Sequence, residues 1–210
     1  GGGLHVWYQF GAELELTNNT IVNNHADGVG GGVQISNRRG GSEWDISNNI
    51  FYGNTNDGAN TDVAKLGSDI SINADLEDFT LNLESNVLDQ SLLGFGIHSG
   101  GNVIATDYDA FGRIDYDIPD SNLDYVDPLF VDFANGDYRL SIDSPLIDQG
   151  VAIENQASID LDGNTRTVDS AVDIGAYEYQ AFMVSDVNEA PTGITLSSLT
   201  IAENSTSGTL

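Results

Sequence analysis

Three stretches of the chain carry one repeated pattern, and this repeat constrains the fold more than any other feature. They are LELTNNTIVNN at 14–24, WDISNNIFYGN at 44–54 and LNLESNVLDQS at 81–91. Each contains a short run in which apolar and polar residues alternate, then an asparagine, then a second apolar run. The alternation is typical of a half-buried β-strand, and helical periodicity is nearly absent. The pattern therefore predicts an all-β protein.

The spacing of the repeat predicts how the strands are arranged. Aligned on Asn19, Asn49 and Asn86, the copies lie 30 and 37 residues apart, which is too far for a hairpin. A solenoid accounts for such spacing, because equivalent strands of consecutive coils then stack in parallel at ~4.8 Å. In that arrangement the three asparagines lie at a bend and form a structural ladder through hydrogen bonds between side-chain amides.

The alternation within each strand assigns its two faces. Side chains point to opposite sides of a strand in turn, so a shift of one residue would exchange the buried and exposed sets. We expect the inward set to be Leu14, Leu16, Trp44, Ile46, Leu81 and Leu83, and the outward set to be Glu13, Glu15, Glu43, Asp45, Thr80 and Asn82.

Charge and composition exclude several partners. Six Lys and Arg against 33 Asp and Glu give a net charge of −27, whereas nucleic acids and anionic membrane surfaces require clustered cations. The chain has no cysteine, which excludes disulfides and thiolate sites. No apolar run approaches the ~20 residues of a membrane-spanning helix. Because the chain opens with Gly1 rather than Met, we interpret it as a piece of a longer protein.

Residues 1–104 resemble the right-handed parallel β-helix repeat proteins. The resemblance rests on the phrases LTNNTIVNN and ISNNIFYGN, which are typical of that family, and on the glycines before each first strand. The third copy departs from the pattern, with Ser85 in place of the first asparagine. GGNVI at 100–104 is interpreted as the start of a last, incomplete coil.

Residues 105–180 resemble the C-terminal region of secreted bacterial β-helix proteins of the choice-of-anchor Q type. The matching segments are DPLFVDFANGDYRLSIDSPLIDQG at 127–150 and DLDGNTRTVDSAVDIGAYEY at 160–179. The resemblance implies a cap that closes the end of the helix, where a last coil exposes apolar surface and unpaired strand edges. The side chains expected to cover that end are Phe130, Phe133, Tyr138, Leu140, Leu146 and Ile147.

Residues 181–210 resemble the linker and first strands of a bacterial cadherin-like repeat. Asp186, Asn188 and Pro191 match its D-x-N-x-x-P linker, and IAENS around Glu203 matches the strand that follows. About 25 residues cannot complete a sandwich of ~100 residues, so this is a truncated domain. The resemblance implies a calcium site at Asp186, Asn188 and Glu203 only when the following domain is present.

An acidic column is the second candidate site. In the predicted register Glu13 lies beside Glu43, and Glu15 beside Asp45, at about 5 Å, which is unfavourable for like charges. Three interpretations stay open: a solvated acidic face, a bound calcium ion that relieves the repulsion, and a catalytic pair of carboxylates. Calcium is therefore the one cofactor that the sequence indicates.

The remaining polar motifs give weaker indications. His5, His25 and His98 lack the spacing of a zinc site and are interpreted as surface or loop residues, with His5 in a column with Gln34 and Ser71. DLDGNTR at 160–166 lacks the spacing of an EF-hand, so it is interpreted as a turn, with an ion bound by its Asp160, Asp162 and Asn164 as the alternative. The few cations of the helix region are Arg38, Arg39, Lys65 and Arg113.

Two functions stay open for the chain, and fold alone decides neither. The first is a non-catalytic segment of a large secreted or surface-attached bacterial protein that acts in adhesion or contacts an extracellular polysaccharide. The second is the C-terminal part of a β-helical polysaccharide lyase or glycoside-degrading enzyme, in which a cation such as Arg38, Arg39 or Lys65 serves as base or neutraliser. The cadherin-like linker favours the first function. Both predict an extracellular protein.

Overall fold

The computed structural model describes residues 1–8, 13–37, 42–57, 67–74, 79–89, 95–99, 102–105, 116–117, 121–168 and 170–181. The chain divides into two compact units, Gly1–Gln180 and Ala181–Leu210. The division falls where the sequence analysis places the end of the cap. The candidate residues that lie outside the described ranges are Asp186, Asn188 and Glu203 of the cadherin-like tail and the cations Arg38, Arg39, Lys65 and Arg113.

Within those ranges the chain forms short strands, one 3-10 helix at Phe133–Asn135 and no α-helix, which confirms the predicted all-β class. Turn-forming Asn, Asp and Gly follow the strand ends. The strands are β1 Leu4–Tyr8, β2 Glu13–Thr17, β3 Thr20–Val22, β4 His25–Ala26, β5 Val33–Asn37, β6 Ser42–Ser47, β7 Ile50–Tyr52, β8 Thr55–Asn56, β9 Ile70–Ala74, β10 Phe79–Glu84, β11 Val87–Leu88, β12 Phe95–Ser99, β13 Asn102–Ala105, β14 Tyr116–Asp117, β15 Leu123–Asp124, β16 Phe130–Asp132, β17 Asp137–Leu140, β18 Thr167–Val168 and β19 Ala171–Val172.

Three parallel sheets are assembled from equivalent strands of consecutive repeat units. The first sheet contains β1, β5, β9 and β12, the second β2, β6, β10 and β14, and the third β3, β7, β11 and β15. Neighbouring strands in these sheets pair in parallel, and so do the two-residue strands β4 and β8. Paired positions in these sheets lie 25 to 37 residues apart in sequence, so strands that are distant along the chain are neighbours in space, as the repeat spacing predicts.

The second sheet has the register predicted from the asparagine spacing. Leu16 pairs with Ile46, and Ile46 pairs with Leu83. Leu16 is 8% exposed, and Ile46 and Leu83 are fully buried. The strict alternation of apolar and polar residues therefore assigned the inward face of these strands correctly.

The outward face is less open than the sequence predicts. Glu15 is exposed, as expected, but Asp45 and Asn82 are half-buried. The Asp45 carboxylate accepts a hydrogen bond from the hydroxyl of Ser47, two residues further along the same strand. This bond holds the carboxylate against its own strand, so Asp45 does not extend fully into solvent.

The main core lies between the three sheets. Each sheet contributes apolar side chains at alternate positions, so equivalent residues of successive units lie on top of one another. Complete burial of a large apolar side chain contributes roughly 1.5–3 kcal/mol. The core consists of Leu16, Val33, Ile35, Trp44, Ile46, Phe51, Ile70, Ile72, Leu81, Leu83 and Leu88, with Leu14 and Ile21 packed against it.

The repeat continues beyond residue 104, where the sequence analysis ended it. The predicted start of a last coil at 100–104 is wrong, because β12 takes that place by pairing in parallel with β9. Only Gly100 and Gly101 separate β12 from β13, and β13 returns antiparallel beside β12, as a hairpin of that loop length does. The fourth unit then completes the second and third sheets with β14 and β15.

Residues 126–181, here called the flank segment, contain the antiparallel pairs β16–β17 and β18–β19. The sequence analysis expected their apolar side chains to close the end of the helix, but they cover the outer side of the third sheet. In β7, Phe51 joins the main core while Ile50 and Tyr52 point outward. Outward apolar side chains of this kind would be exposed to water unless another part of the chain packed on them, and the flank segment does so. This second core consists of Ile50, Val87, Leu140, Leu146 and Ile174, with Val22, Tyr52, Leu123, Phe130 and Ile147 packed against it.

Truncation of a stacked core residue tests the assignment of faces. We expect Ile46→Ala to lower the free energy of unfolding by ~2–5 kcal/mol, since it leaves a cavity between β2 and β10. The measurement is urea unfolding followed by circular dichroism. Glu15→Ala, on the exposed face of the neighbouring strand, is the control and should change stability by less than ~0.5 kcal/mol. Equal effects of the two substitutions would contradict the register.

Candidate functional site

The asparagines predicted to form a ladder lie in one hydrogen-bonded column. The Nδ2 group of Asn19 donates to Oδ1 of Asn49 at 2.9 Å, and that of Asn49 donates to Oδ1 of Asn86 at 2.9 Å. The backbone N–H groups of Asn19 and Asn49 donate to the same oxygens. Asn49 also donates from Nδ2 to the carbonyl oxygen of Leu16 in the preceding unit at 2.6 Å. Since these amide groups bond to the protein itself, the column is structural and not catalytic.

The column has a fourth member that the sequence analysis missed. Both the backbone N–H and Nδ2 of Asn86 donate to Oδ1 of Asn122 at 3.0 Å. The signal in the sequence is Ser121-Asn122, which repeats Ser85-Asn86 at a distance of 36 residues. Position 85 also has a positive φ of 51°, close to the 57° of Asn48, so the serine adopts the same left-handed corner as the asparagine.

Substitution of one asparagine of the column should show how much the column contributes to the stability of the stacked units. Asn49→Ala leaves buried backbone groups of two units without their partners, so we expect it to lower the free energy of unfolding by ~2–4 kcal/mol. Asn82→Ala, on the outward face of the second sheet, is the matched control and should cost less than ~0.5 kcal/mol. Chemical unfolding measures both, and a loss at Asn49 no larger than the control would show that the ladder contributes little.

A second column ends in a carboxylate. Nδ2 of Asn24 donates to Oδ1 of Asn54 at 3.1 Å, and Nδ2 of Asn54 donates to Oδ1 of Asp69 at 2.9 Å. The other Asp69 oxygen accepts the backbone N–H of Asp89 at 2.9 Å. Asp69 is buried, and burial raises its pKa to about 6 although both hydrogen bonds favour the ionised form.

The raised pKa of Asp69 predicts a pH-dependent stability. A carboxyl group with a pKa of 3.8 when unfolded and about 6 when folded stabilises the protein fully below the first value. That contribution is lost as the pH rises through the second value. We expect urea unfolding at several pH values to show a smaller loss of stability in Asp69→Asn than in the wild type. Asp143→Asn, which removes the same charge at an exposed position, should keep the wild-type slope.

The acidic column has the predicted register, but it forms no cluster of ligands. Glu13 pairs with Glu43, and Glu15 pairs with Asp45. Side chains two residues apart on a strand are separated by ~7 Å, so the four carboxylates lie on two levels and do not converge. No three of the four have carboxylate oxygens that all lie within 4.8 Å of one another, and these residues are all among those described. A calcium ion, which is one of the three interpretations of this column, therefore has no such set of ligands here.

His25, which was interpreted from the sequence as a surface or loop residue, lies in a group with Asp27 and Asp57 where β4 and β8 end. Nε2 of His25 is 3.4 Å from Oδ2 of Asp57 and 3.8 Å from Oδ1 of Asp27. Nδ1 of the same ring is 2.9 Å from Oγ1 of Thr55. Among the described residues this is the one set of three or more His or carboxylate side chains whose ligand atoms all lie within 4.8 Å.

This group was visible in the sequence only through the repeat. Asn-His-Ala-Asp at 24–27 aligns with Asn-Thr-Asn-Asp at 54–57, so Asp27 and Asp57 occupy equivalent positions of consecutive units. His5, by contrast, lies in the predicted register with Gln34 and Ser71. His5 is exposed but Ser71 is buried, so that column faces solvent only in part. The side chain of His98 is not among those described.

Aromatic rings meet where the third sheet and the flank segment join. Tyr125 stacks on Tyr52 with ring centroids 5.3 Å apart, and Phe130 stacks on Phe133 at 5.7 Å. Tyr52 presents an edge-to-face contact to each of these phenylalanines, and Tyr138 packs against both. Tyr125 is 50% exposed, and the other four rings are half-buried. These five residues are called the aromatic cluster below.

Charged residues lie close in sequence to members of the aromatic cluster. Burial and then the negative charge of Asp127 raise the pKa of the Tyr52 hydroxyl. Asp127 is exposed and follows Tyr125 by two residues. Asp137, next to Tyr138 in β17, accepts two hydrogen bonds from the guanidinium of Arg139. This pairing holds the pKa of Asp137 below its ordinary value.

Three buried carboxylates join the loops of the flank segment. Asp160, Asp173 and Glu178 are each less than 7% exposed. Both oxygens of each accept backbone N–H groups, so the segment 160–166 forms a turn around Asp160 and offers no convergent set of ligands for an ion. The donors are Asn164 and Glu178 to Asp160, Asp148 and Tyr179 to Asp173, and Val168 and Asp173 to Glu178.

Burial is the largest influence on the pKa values of the charged residues in this part of the flank segment. It raises the pKa of Glu178 to about 7 and also raises that of Asp173. It lowers the pKa of Arg166, whose guanidinium donates to the carbonyl oxygens of Gly175 and Ala176. These buried charged residues therefore hold the loops of the flank segment together through hydrogen bonds to the backbone. This structural role accounts for their presence at buried positions.

No protein-family model, curated protein or solved structure matches the chain. The described residues contain no helix that is long and apolar enough to cross a membrane. The resemblances to the choice-of-anchor Q and cadherin-like families therefore stay predictions that rest on the quoted residues.

Proposed function

We propose that the chain is the C-terminal end of a right-handed parallel β-helix, in a non-catalytic segment of a large secreted or surface-attached bacterial protein that contacts extracellular carbohydrate in adhesion. The β-helix is supported by the parallel pairing of consecutive units in three sheets and by the asparagine columns that join them. A stack of this kind has long lateral surfaces, and repeat proteins use such surfaces for binding.

The aromatic cluster is the observation that carries the carbohydrate contact. The face of an aromatic ring is negatively polarised and attracts partly positive hydrogens, such as the C–H groups on one face of a sugar ring. Exposed apolar patches on soluble proteins commonly mark binding surfaces. Tyr125 also has a φ of 43°, a left-handed conformation that is unusual for a bulky residue and is found preferentially at functional sites.

The charges around the cluster favour a neutral glycan. Asp127 is exposed and lies two residues from Tyr125 in sequence, and its carboxylate is suited to accept hydrogen bonds from sugar hydroxyls. The net charge of −27 repels an acidic polysaccharide, the more so at low ionic strength. The proposed ligand is therefore a neutral polysaccharide that stacks on Tyr125.

Calcium enters this proposal only through the tail. Asp186, Asn188 and Glu203 match a cadherin-like linker that binds calcium together with a complete following domain, and they lie outside the described residues. Carbohydrate binding at the aromatic cluster should accordingly be insensitive to chelation by EDTA.

Titration with soluble neutral polysaccharides, such as xylan and galactomannan, tests the site. We expect Tyr125→Asn to weaken binding at least ~10-fold, or ~1.4 kcal/mol, in isothermal calorimetry. Asparagine tolerates the left-handed backbone at this position, so the variant keeps the local fold. Trp7→Ala is the matched control, because Trp7 is an aromatic residue on a different sheet and 60% exposed.

The outcomes separate the two functions. Unchanged binding by Trp7→Ala together with loss in Tyr125→Asn supports the proposal, whereas equal losses, or no binding of a neutral glycan by the wild type, refute it. Rising absorbance from unsaturated ends during incubation with an acidic polysaccharide would instead identify a lyase. No described feature favours that alternative, since its cations Arg38, Arg39 and Lys65 lie outside the described residues.

A further inference from the structure

The group of His25, Asp27 and Asp57 brings an imidazole ring and two like charges together at the surface. Strands β4 and β8 pair in parallel with His25 opposite Thr55, and the two aspartates follow these strands at equivalent positions. Adjacent carboxylates repel each other, and stacking of the units keeps them adjacent. A cation between them removes the repulsion.

The spacing of the ligand atoms fits a shared metal ion better than a direct hydrogen bond. A charged N–H···O bond is ~2.7–2.9 Å long, but Nε2 of His25 lies 3.4 and 3.8 Å from the oxygens of Asp57 and Asp27. Two ligand atoms that are each ~2.1 Å from a tetrahedral zinc ion are ~3.4 Å apart. The observed separations are therefore close to those of neighbouring ligands in one coordination shell.

The histidine ring is also oriented for coordination. Nδ1 of His25 lies 2.9 Å from Oγ1 of Thr55, and in the tautomer that carries its proton on Nδ1 the ring donates to Thr55 and directs the lone pair of Nε2 at the two carboxylates. Metal-binding histidines are commonly held in this way, by a hydrogen bond from the ring nitrogen that does not bind the metal. Thr55 belongs to the second unit and His25 to the first, so the stacking of units fixes the orientation.

We propose that His25, Asp27 and Asp57 bind a divalent transition-metal ion of the zinc class, with the remaining position open to water or to an external ligand. One imidazole nitrogen and two carboxylate oxygens suit zinc, which binds such ligands in a tetrahedral shell. Calcium requires 6–8 oxygens and gains little from imidazole, so it is the less suitable ion. A cleft of about 490 Å³ adjoins His25 and Asp27 and is also lined by Gly28 and Gln34, so an external ligand can approach these two residues.

Titration of the full chain with Zn²⁺ in a non-chelating buffer, followed by isothermal calorimetry, tests this site. We expect one equivalent to bind and expect Asp57→Asn and His25→Gln each to weaken binding at least ~10-fold, or ~1.4 kcal/mol. Thr55→Val keeps all three ligands, but it removes the bond that orients the ring. It should lower the affinity by ~10-fold or more, and Thr55→Ser should restore it. Visible absorption bands of bound Co²⁺ would report coordination directly.

Matched controls exclude unspecific binding to an acidic surface. Glu15→Gln removes the same charge as Asp57→Asn, and His5→Gln removes an exposed histidine from another column. Both controls should bind Zn²⁺ like the wild type. Equal losses in controls and site variants, wild-type affinity in His25→Gln, or Ca²⁺ binding that depends on Asp57 but not on His25 would each overturn the proposal. The result does not depend on carbohydrate binding, which involves residues of the aromatic cluster.

Discussion

The fold depends on buried asparagine side chains that bond from one repeat unit to the next. A buried amide is unfavourable unless its donors and its acceptor are all used, and Asn49 meets this condition only when the units before and after it are in register. Its side chain donates to Leu16 and Ser47 carbonyls and to Asn86, and accepts from Asn19. A shift by one residue would break the bonds with Leu16, Asn86 and Asn19, because each of these joins two units. The ladder therefore determines the register of the sheets.

Once the register is fixed, hydrophobic burial decides the rest of the architecture. Equivalent apolar residues stack between the three sheets and form the main core. The third sheet has a second apolar row on its outer side, including Ile50, Val87 and Leu123. The flank segment covers that row and is attached by polar contacts as well. Asn48 exchanges hydrogen bonds with the backbone of Val151 at 2.8 Å in both directions. The flank segment is thus attached to the outer side of the third sheet.

The sequence predicts those features for which the alternating or repeated stretch of residues is long enough to be recognised. The six-residue strands β6 and β10 show strict alternation, so the burial of Ile46 and Leu83 could be predicted. The strands β14 and β15 have two residues each and show no period, so the fourth unit and Asn122 were missed. The three-residue strand β7 likewise cannot show which of its apolar residues faces outward. His25 and Asp57 are 32 positions apart, and they become neighbours only after the register is known.

Stacking of equivalent positions brings like side chains together, and the consequences depend on their chemistry. Asparagine is both donor and acceptor, so a column of asparagines is self-complementary. An ionised carboxylate can only accept hydrogen bonds, so stacked carboxylates cannot bond to one another as stacked asparagines do. Glu13 and Glu43 have long side chains that can separate in solvent. Asp69 is buried at the end of its column, and its raised pKa of about 6 reflects the cost of ionisation there. Asp27 and Asp57 are short and lie at equivalent positions beside His25, and the proposed cation would offset the repulsion between this pair.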